Sequence, residues 1–282
     1  MVNPLKKIID VKEETDSDIA KTLAEISEKN SAALLTLIAP YVGRKVTPSK
    51  ISGASMGISE EFAVESAIDE IRSLTDCKNL FLLINSPGGS MISSYKVARA
   101  LRSVFSNIRV FVPHIAASGG TLIALTGNEI VMGIMSHLSP LDPQTELKSG
   151  KLVSSRSVIE AHAFVTDFFK DKEVEDAPYT YKVLAEKFDA VDIQDAFAWM
   201  SLMEEYIVEI LKDSGYSEDE CQPLAEELVR GFKTHADVIN IDRALECGNK
   251  GLHVVPASKY PMEWKAFRDW LGKYMLKSTT DM

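Results

Sequence analysis

Unbroken apolar runs alternate along the chain with stretches in which apolar residues recur at helical spacing. Residues 80–84 are apolar without interruption, which predicts a strand that is buried on both faces. Residues 91–105 carry apolar positions three and four apart and predict a helix; 110–112 predict a second strand, 119–126 a second helix and 129–132 a third strand. Strand, helix, strand, helix, strand at short spacing predicts an α/β fold with a parallel sheet.

The segments around this pattern divide the chain into three predicted parts. Residues 1–50 form an N-terminal helical arm, in which 10–30 read as an amphipathic helix and 30–44 stay open between helix and strand. Residues 51–256 form the main domain, and residues 257–282 form a C-terminal helical tail. The main domain is predicted to contain a helix opened by Ser59, a helical insertion near 145–225 with helices at 158–169 and 196–211, a helix at 241–246 and a strand at 252–255.

The composition is that of an ordinary globular protein, and its charge excludes several partners. Of the 282 residues, 45% are apolar and 26% are charged, and the formal net charge is −10. Because phosphate binding needs basic patches, this balance argues against nucleic acid and against an anionic membrane surface. No apolar stretch reaches the roughly 20 residues that a membrane helix needs, so we expect no membrane insertion.

Metal, cofactor and disulfide chemistry find no support in the sequence. Cys77, Cys221 and Cys247 are few, odd in number and scattered, without metal-ligand spacing or a disulfide framework. No hydrophobic signal core follows the N-terminal residues. The chain has no phosphate-binding loop, no dinucleotide fingerprint and no zinc-protease motif. We therefore expect a protein of the cytoplasm that uses neither a cofactor nor a metal.

Two glycine motifs about thirty residues apart carry the candidate chemistry. The first, Asn-Ser-Pro-Gly-Gly-Ser at 85–90, directly follows the predicted strand 80–84. The second, Ala-Ala-Ser-Gly-Gly at 116–120, follows the next strand. Each predicts a strand that runs into a tight turn and then a helix. Acyl transfer needs a nucleophile together with N–H donors where negative charge develops, and Ser118 with the N–H groups of Gly89 and Gly119 would supply them.

Each motif also has a purely structural interpretation. Ser118 could simply cap the helix that follows it. Gly88 and Gly89 could form a tight turn with positive φ and do nothing else. The catalytic interpretation is favoured for the pair, because turns at the carboxyl ends of adjacent parallel strands face the same crevice.

The two motifs together resemble the Clp protease and signal-peptide-peptidase fold, a relative of crotonase. The longer stretch 112–125, with Pro-Leu-Asp-Pro-Gln at 140–144, is similar to one branch, the serine dehydrogenase proteinase family of Clp-fold serine peptidases. The likeness is close over about 80–144 and weaker over 230–254, whereas 1–50 and 145–225 carry no matching motif.

The resemblance implies a Clp/crotonase-like spiral of parallel βαβ units with additional helices, and a homo-oligomer. It places Ser118 on the nucleophile and Gly89 and Gly119 on the oxyanion hole. An extended peptide or protein substrate would lie beside the first turn as an added strand, with Gly88 and Ser90 as binding residues.

The general base does not transfer cleanly from the resemblance. The histidine position of Clp proteases lands near Leu141 and Asp142, and His137 lies a few residues earlier. Signal-peptide peptidases use a downstream lysine, for which Lys151 is the candidate by rough placement. Lys170 and Lys172 are further candidates by spacing alone. His137 and Lys151 are therefore the predicted bases, and each could equally be structural or a solvated surface residue.

Three other polar residues near these motifs have weaker interpretations. His235 lies in a loop that the family tends to carry, and it is either structural or part of the crevice. His114 is expected to pack or to orient a neighbour. Asp142 could orient a base or close a turn, and the Asp-Pro-Gln sequence favours the turn.

Three functions follow from these observations. The leading hypothesis is a serine peptidase that hydrolyses peptide bonds with Ser118 as nucleophile. The second is a crotonase-like enzyme acting on an acyl thioester, in which the same N–H donors hold an enolate but Ser118 has no purpose. The third is a catalytically silent scaffold with the Clp fold, which the uncertain base leaves open.

Overall fold

The computed structural model describes residues 16–39, 55–170 and 174–280. The helices are α1 (Asp16–Asn30), α2 (Ile58–Leu74), α3 (Met91–Val104), α4 (Gly119–Ala124), α5 (Ser155–Phe169), α6 (Tyr179–Ala185), α7 (Ala190–Asp213), α8 (Glu218–Glu226), α9 (Ile241–Glu246) and α10 (Pro261–Thr280). The strands are β1 (Ala33–Ile38), β2 (Asn79–Asn85), β3 (Asn107–Val112), β4 (Ile115–Ala116), β5 (Glu129–Met132), β6 (His137–Leu138), β7 (Gln144–Glu146), β8 (Leu152–Ser154) and β9 (Val254–Pro256).

Five parallel strands form the central sheet in the order β1-β2-β3-β5-β9. In this register Leu82 of β2 lies opposite Leu35 of β1 on one side and Val110 of β3 on the other. The α/β fold with parallel βαβ units and additional helices is thereby confirmed. All three strands predicted between 80 and 132 belong to this sheet.

The apolar run of β2 is buried because both faces of the sheet are covered. Leu80, Leu82 and Ile84 pack in the larger core with buried side chains of α2 and α3. Phe81 and Leu83 point to the other face, where they join a smaller core with residues of α1 and α10. Full burial of such a side chain contributes about 1.5–3 kcal/mol. This two-sided burial holds rigid the strand whose end carries the first glycine motif.

Two local predictions change in the structure. The segment 30–44, left open between helix and strand, contributes the edge strand β1. Helix α2 begins at Ile58 and its N-cap is Gly57, so Ser59 is not the cap. Because glycine has no side chain, the capping bond comes from Glu60, whose Oε2 accepts from the N–H of Gly57 at 2.8 Å.

Some predictions concern residues that the structure does not describe. The start of the arm helix, residues 40–44 and the division between 50 and 51 lie outside the described ranges. The three-part division of the chain therefore stays a prediction. Within the described ranges, no helix is both long and apolar enough to cross a membrane.

The helical insertion begins with a hairpin that the sequence pattern did not predict. Strands β7 and β8 pair antiparallel, with Thr145 opposite Val153. Helices α5 and α7 follow and correspond to the predicted helices 158–169 and 196–211 with longer ends. Met200, Met203 and Ile207 of α7 are buried in the main core, so the insertion packs onto the domain.

Candidate active site

The two glycine motifs meet at the carboxyl end of the central sheet. The N–H of Ser86 donates to the carbonyl of Ile115 at 3.0 Å, and the N–H of Ala117 donates to the carbonyl of Ser86 at 2.9 Å. These two bonds form a parallel bridge between Ser86 and Ala116. The turn after β2 is thus fixed directly beside the segment that leads to Ser118.

Gly88 lies in contact with the backbone on either side of Ser118. Its φ of +100° is in the region that favours glycine. A Cβ at this position would lie 2.5 Å from the carbonyl oxygen of Ala117 and 2.7 Å from Cβ of Ser118. Only glycine fits there without a shift of the backbone, and this close approach brings the two turns together.

Ser118 has a strained backbone and a side chain that does not cap its helix. Its φ of 49° and ψ of −123° are unusual for a residue with a side chain, and such strain costs on the order of 1–3 kcal/mol. Its N–H donates to Oγ of Ser139 at 2.7 Å. Its side chain makes no capping bond to α4. Ser118 therefore occupies the N-cap position of α4, but its hydroxyl does not make the hydrogen bond that a capping serine usually provides.

The N–H groups of Gly89 and Gly119 lie close together beside Ser118. A Cβ on Gly119 would lie 3.4 Å from the nitrogen of Gly89 and 2.1 Å from the buried Oγ of Ser94. Within the described part of the chain, neither N–H has a hydrogen-bond acceptor. Two adjacent free donors of this kind can bind one oxygen that carries developing negative charge.

In the turn that follows β2, one edge of the backbone already forms hydrogen bonds with Met56 of the same chain. The N–H of Met56 donates to the carbonyl of Gly88 at 2.7 Å, and the N–H of Ser90 donates to the carbonyl of Met56 at 2.8 Å. The N–H of Gly88 donates to Oγ of Ser86 at 3.1 Å. Backbone pairing with a peptide through Gly88 or the N–H of Ser90 would therefore have to displace a bond within the chain.

Ser118 opens into a cleft of about 630 Å³. Gly89, Ser90 and Gly119 line it beside Ser118, and apolar side chains of α3, β8 and α7 form much of the remaining wall. Those apolar side chains are Met91, Ile92, Leu152, Trp199 and Met203. The cleft therefore combines polar groups around Ser118 with an apolar wall, which is the usual composition of a ligand site.

His235 and Asp142 also line this cleft, and they form a hydrogen-bonded pair. Nδ1 of His235 lies 2.7 Å from Oδ1 of Asp142, a carboxylate that is only 2% exposed. The hydrogen bond to Asp142 raises the pKa of His235 above its usual value, although burial opposes the shift. With Nδ1 engaged by the carboxylate, Nε2 of the neutral ring is left as a proton acceptor.

The two bases predicted from the sequence lie elsewhere. His137 is in β6, where it pairs with Ile115, and its ring centroid is 6.2 Å from that of His114. Burial, reinforced by the charge of His114, lowers the pKa of His137. Lys151 is an exposed residue of the β7–β8 turn. Among the described residues that line the cleft, neither is present.

Comparison with known proteins identifies the family. A family model described as ClpP-like SDH-type serine proteinase matches residues 56–264. The chain belongs to this family. The resemblance inferred from the two glycine motifs is thereby confirmed.

Two curated relatives of this chain come from Methanocaldococcus jannaschii, and both are described as uncharacterized. The protein MJ1495 is 30% identical over 198 residues, which cover 70% of this chain and 60% of that protein. The protein MJ0137 is 28% identical over 231 residues, which cover 81% of this chain and 71% of that protein. The match thus spans less than two thirds of the first relative.

Solved structures of the 1510-N membrane-bound stomatin-specific protease are also similar to this chain. One mutant form has a TM-score of 0.47 at 14% identity, covering 75% of this chain and 79% of that one. Another mutant, in complex with a substrate peptide, has the same TM-score and identity and covers 83% of this chain and 78% of that one.

The sequence pattern leaves the roles of Asp142 and His235 open and gives no signal for Ser139. Asp142 fits a turn as well as a carboxylate that orients a base, and His235 fits a structural role as well as a place in the crevice. Asp142 and His235 are 93 residues apart, and no local pattern reports such a contact. The available signals were a lone histidine at 235 and an aspartate at the position where Clp proteases carry their histidine.

Proposed function

We propose that this protein is a serine peptidase in which Ser118 attacks the carbonyl of a peptide bond. His235 is the general base, Asp142 orients it, and the N–H groups of Gly89 and Gly119 form the oxyanion hole. The observation that carries this proposal is that Ser118 and the His235–Asp142 pair line one cleft. Nucleophile, base and orienting carboxylate within one cleft are what acyl transfer requires.

The roles follow from the chemistry of each group. Nε2 of His235 takes the proton as Oγ of Ser118 attacks, and the resulting imidazolium is stabilised by the buried carboxylate of Asp142. The two glycine N–H groups bind the oxyanion of the tetrahedral intermediate. His235 then returns the proton to the leaving amine, and water releases the acyl group from Ser118 by the same steps.

The proposed substrate is a peptide or protein segment in an extended conformation. The apolar wall formed by Leu152, Trp199 and Met203 supports a preference for an apolar side chain beside the cleaved bond. Gly88 and Ser90 stay proposed binding residues at the edge of the cleft. A homo-oligomer and a cytoplasmic location also stay proposals, supported by the resemblance and by the scattered cysteines.

Covalent labelling tests the proposal directly. A fluorophosphonate is expected to label the intact protein at Ser118, because the activated hydroxyl attacks phosphorus and the adduct places an oxygen toward the two glycine N–H groups. Peptide mapping by mass spectrometry locates the adduct. The Ser118→Ala variant is the control for nonspecific reaction. Absence of an adduct on the folded wild type would remove the peptidase proposal.

The crotonase-like and scaffold hypotheses predict a different outcome. A crotonase-like site needs the oxyanion donors but no nucleophilic hydroxyl, so it would leave the fluorophosphonate unreacted. A silent scaffold would do the same and would also tolerate loss of Ser118. The strained backbone at Ser118 favours the peptidase over both, because strain of this kind is typical of a serine held out for attack.

The pH dependence of kcat/KM separates His235 from His137 as the base. A general base must be neutral, so kcat/KM is expected to fall as the pH drops through the pKa of that base. The pKa of His235 is raised by Asp142, which places the midpoint above the usual histidine value of about 6.5. The pKa of His137 is lowered by burial, so His137 as base would place the midpoint below that value. A rate profile with a short apolar peptide substrate decides between them.

A further inference from the structure

The first turn of α5 contacts both segments that carry the His235–Asp142 pair. The N–H of Ser155 donates to the carbonyl of Pro143, the residue after Asp142, at 2.8 Å. Ser155 is fully buried, and its hydroxyl also bonds to Oγ1 of Thr145. One end of the helical insertion is thereby fixed to the segment before β7, which carries Asp142.

The next residue, Arg156, reaches the loop that carries the histidine. Nη1 of Arg156 donates to the carbonyl of Arg230 at 3.4 Å, and Nη2 donates to the carbonyl of Lys233. Lys233 lies two residues before His235 along the chain. The planar guanidinium fork can bind two carbonyls at once, which the single ammonium of a lysine does less well.

Arg156 is an unusual residue to bury for packing alone. It is only 8% exposed, and its Nε has no hydrogen-bond partner among the described residues. Oε1 of Glu160 lies 3.6 Å from that Nε, just beyond hydrogen-bond distance. Burying a charged group is costly unless it is well paired. The cost of burying the Arg156 guanidinium is consistent with a role for this residue that depends on its two hydrogen bonds to carbonyl groups rather than on packing.

The rest of the His235 loop is held at its far end. Leu138 and Ile239 exchange backbone bonds of 2.9 and 3.0 Å, which fix the chain four residues beyond His235. Before the loop, the N–H of Leu141 donates to the carbonyl of Leu228 at 2.8 Å. Within the loop, the N–H of Asp237 donates to the carbonyl of Thr234 at 3.1 Å. Among the described hydrogen bonds that reach the loop from outside it, the bond from Arg156 to Lys233 is the nearest before His235, so Arg156 restrains the approach of the ring to Asp142.

We propose that Arg156 is a positioning residue through which the helical insertion sets the geometry of the general base. This inference rests on the proposed function, because it assigns to Arg156 the placement of His235. Ser155 and Arg156 are adjacent on one helical turn, so the spacing between the Asp142 segment and the His235 loop is fixed by that turn. Arg156 does not line the cleft and touches no reacting atom.

Kinetics of three variants test this proposal. Arg156→Met removes both carbonyl contacts and is expected to lower kcat about 10²-fold with KM nearly unchanged, because misplacement of a catalytic group by about 1 Å costs that much. Arg156→Lys keeps the charge and one donor direction, and it is expected to recover part of kcat. Glu160→Gln is the matched control, since it removes the neighbouring charge but leaves both carbonyl bonds, and it is expected to keep wild-type kcat.

A spectroscopic measurement supplies the second readout. The proton between His235 and Asp142 is expected to give a downfield NMR resonance in the wild type and in Glu160→Gln, and to lose it in Arg156→Met. If Arg156→Met does not fold, the same two measurements on Arg156→Lys decide, with reduced kcat at unchanged KM as the supporting result.

Two failures can be told apart by labelling Ser118 with a fluorophosphonate. If the folded Arg156 variants keep wild-type kcat and labelling rate, or if KM changes and kcat does not, the positioning proposal is overturned while the peptidase proposal stands. If the wild type itself is not labelled, the proposed function fails first, and the role of Arg156 fails with it.

Discussion

Replacing Ser118 with alanine is expected to abolish peptide hydrolysis. The substitution removes the attacking oxygen, and what remains is binding together with the two N–H donors of Gly89 and Gly119. In well-studied serine hydrolases that lack the serine, the remaining rate enhancement is about 10³–10⁴ over the reaction in water. Removal of the serine lowers kcat by about 10⁶. We therefore expect a loss of at least about 10⁴ in kcat/KM, measured with casein and with short fluorogenic peptides.

Two controls make this result specific. Ser90→Ala changes a hydroxyl that lines the same cleft but caps α3 by accepting from the N–H of Ser93 at 3.2 Å. Because Ser90 is also a proposed binding residue, this substitution is expected to lower stability and to change KM, with kcat near the wild-type value. A thermal unfolding curve checks that Ser118→Ala is folded. Hydrolysis at the wild-type rate by a pure Ser118→Ala preparation would contradict the proposed mechanism outright.

Replacing His235 with alanine is expected to produce a loss of similar size. Without the imidazole no group takes the proton from Ser118. In such a triad, loss of the histidine alone lowers kcat nearly as much as loss of all three residues, about 10⁶. Asp142→Asn is expected to cost about 10⁴, because an amide at this position favours the wrong tautomer of the ring. The double variant His235→Ala/Asp142→Asn is expected to be no slower than His235→Ala alone, which is the sign that the two act as one unit.

Alanine substitutions of His137 and Lys151, the two bases predicted from the sequence, are the comparison for His235→Ala. His137→Ala and Lys151→Ala are expected to keep rates near the wild-type value, since neither residue lines the cleft. If instead His137→Ala or Lys151→Ala eliminates turnover while His235→Ala is active, the base must be reassigned. Active-site titration with a fluorophosphonate normalises all of these rates to the fraction of reactive Ser118.

The elements nearest the candidate site were the most predictable from the sequence. The buried strand β2 follows from five consecutive apolar residues, and β5 begins where the sequence predicts the start of a third strand, because buried parallel strands carry a strong local signal. The turns followed from glycines that must approach other backbone closely, as Gly88 approaches Ser118. Local sequence was sufficient for these features because each depends on residues that are neighbours in the chain.

The general base and the insertion were less predictable for the opposite reason. The partner of His235 is Asp142, and the loop that holds His235 is bound by Arg156, 74 and 77 positions away from its two carbonyl acceptors. The β7–β8 hairpin has only three residues in each strand, too few for an alternating pattern to stand out. Contacts between distant segments depend on the assembled fold, and a pattern read along the chain does not contain them.

At residue 118, stability and the proposed catalysis favour different amino acids, because the backbone of Ser118 is strained. A glycine there would adopt a φ of 49° without a Cβ penalty, so it would relieve part of that strain. Selection for thermal stability alone would therefore favour Ser118→Gly, a variant with a higher melting temperature but without the proposed nucleophile. To stabilise this protein without losing the proposed activity, residue 118 should be left unchanged and substitutions should be sought far from it.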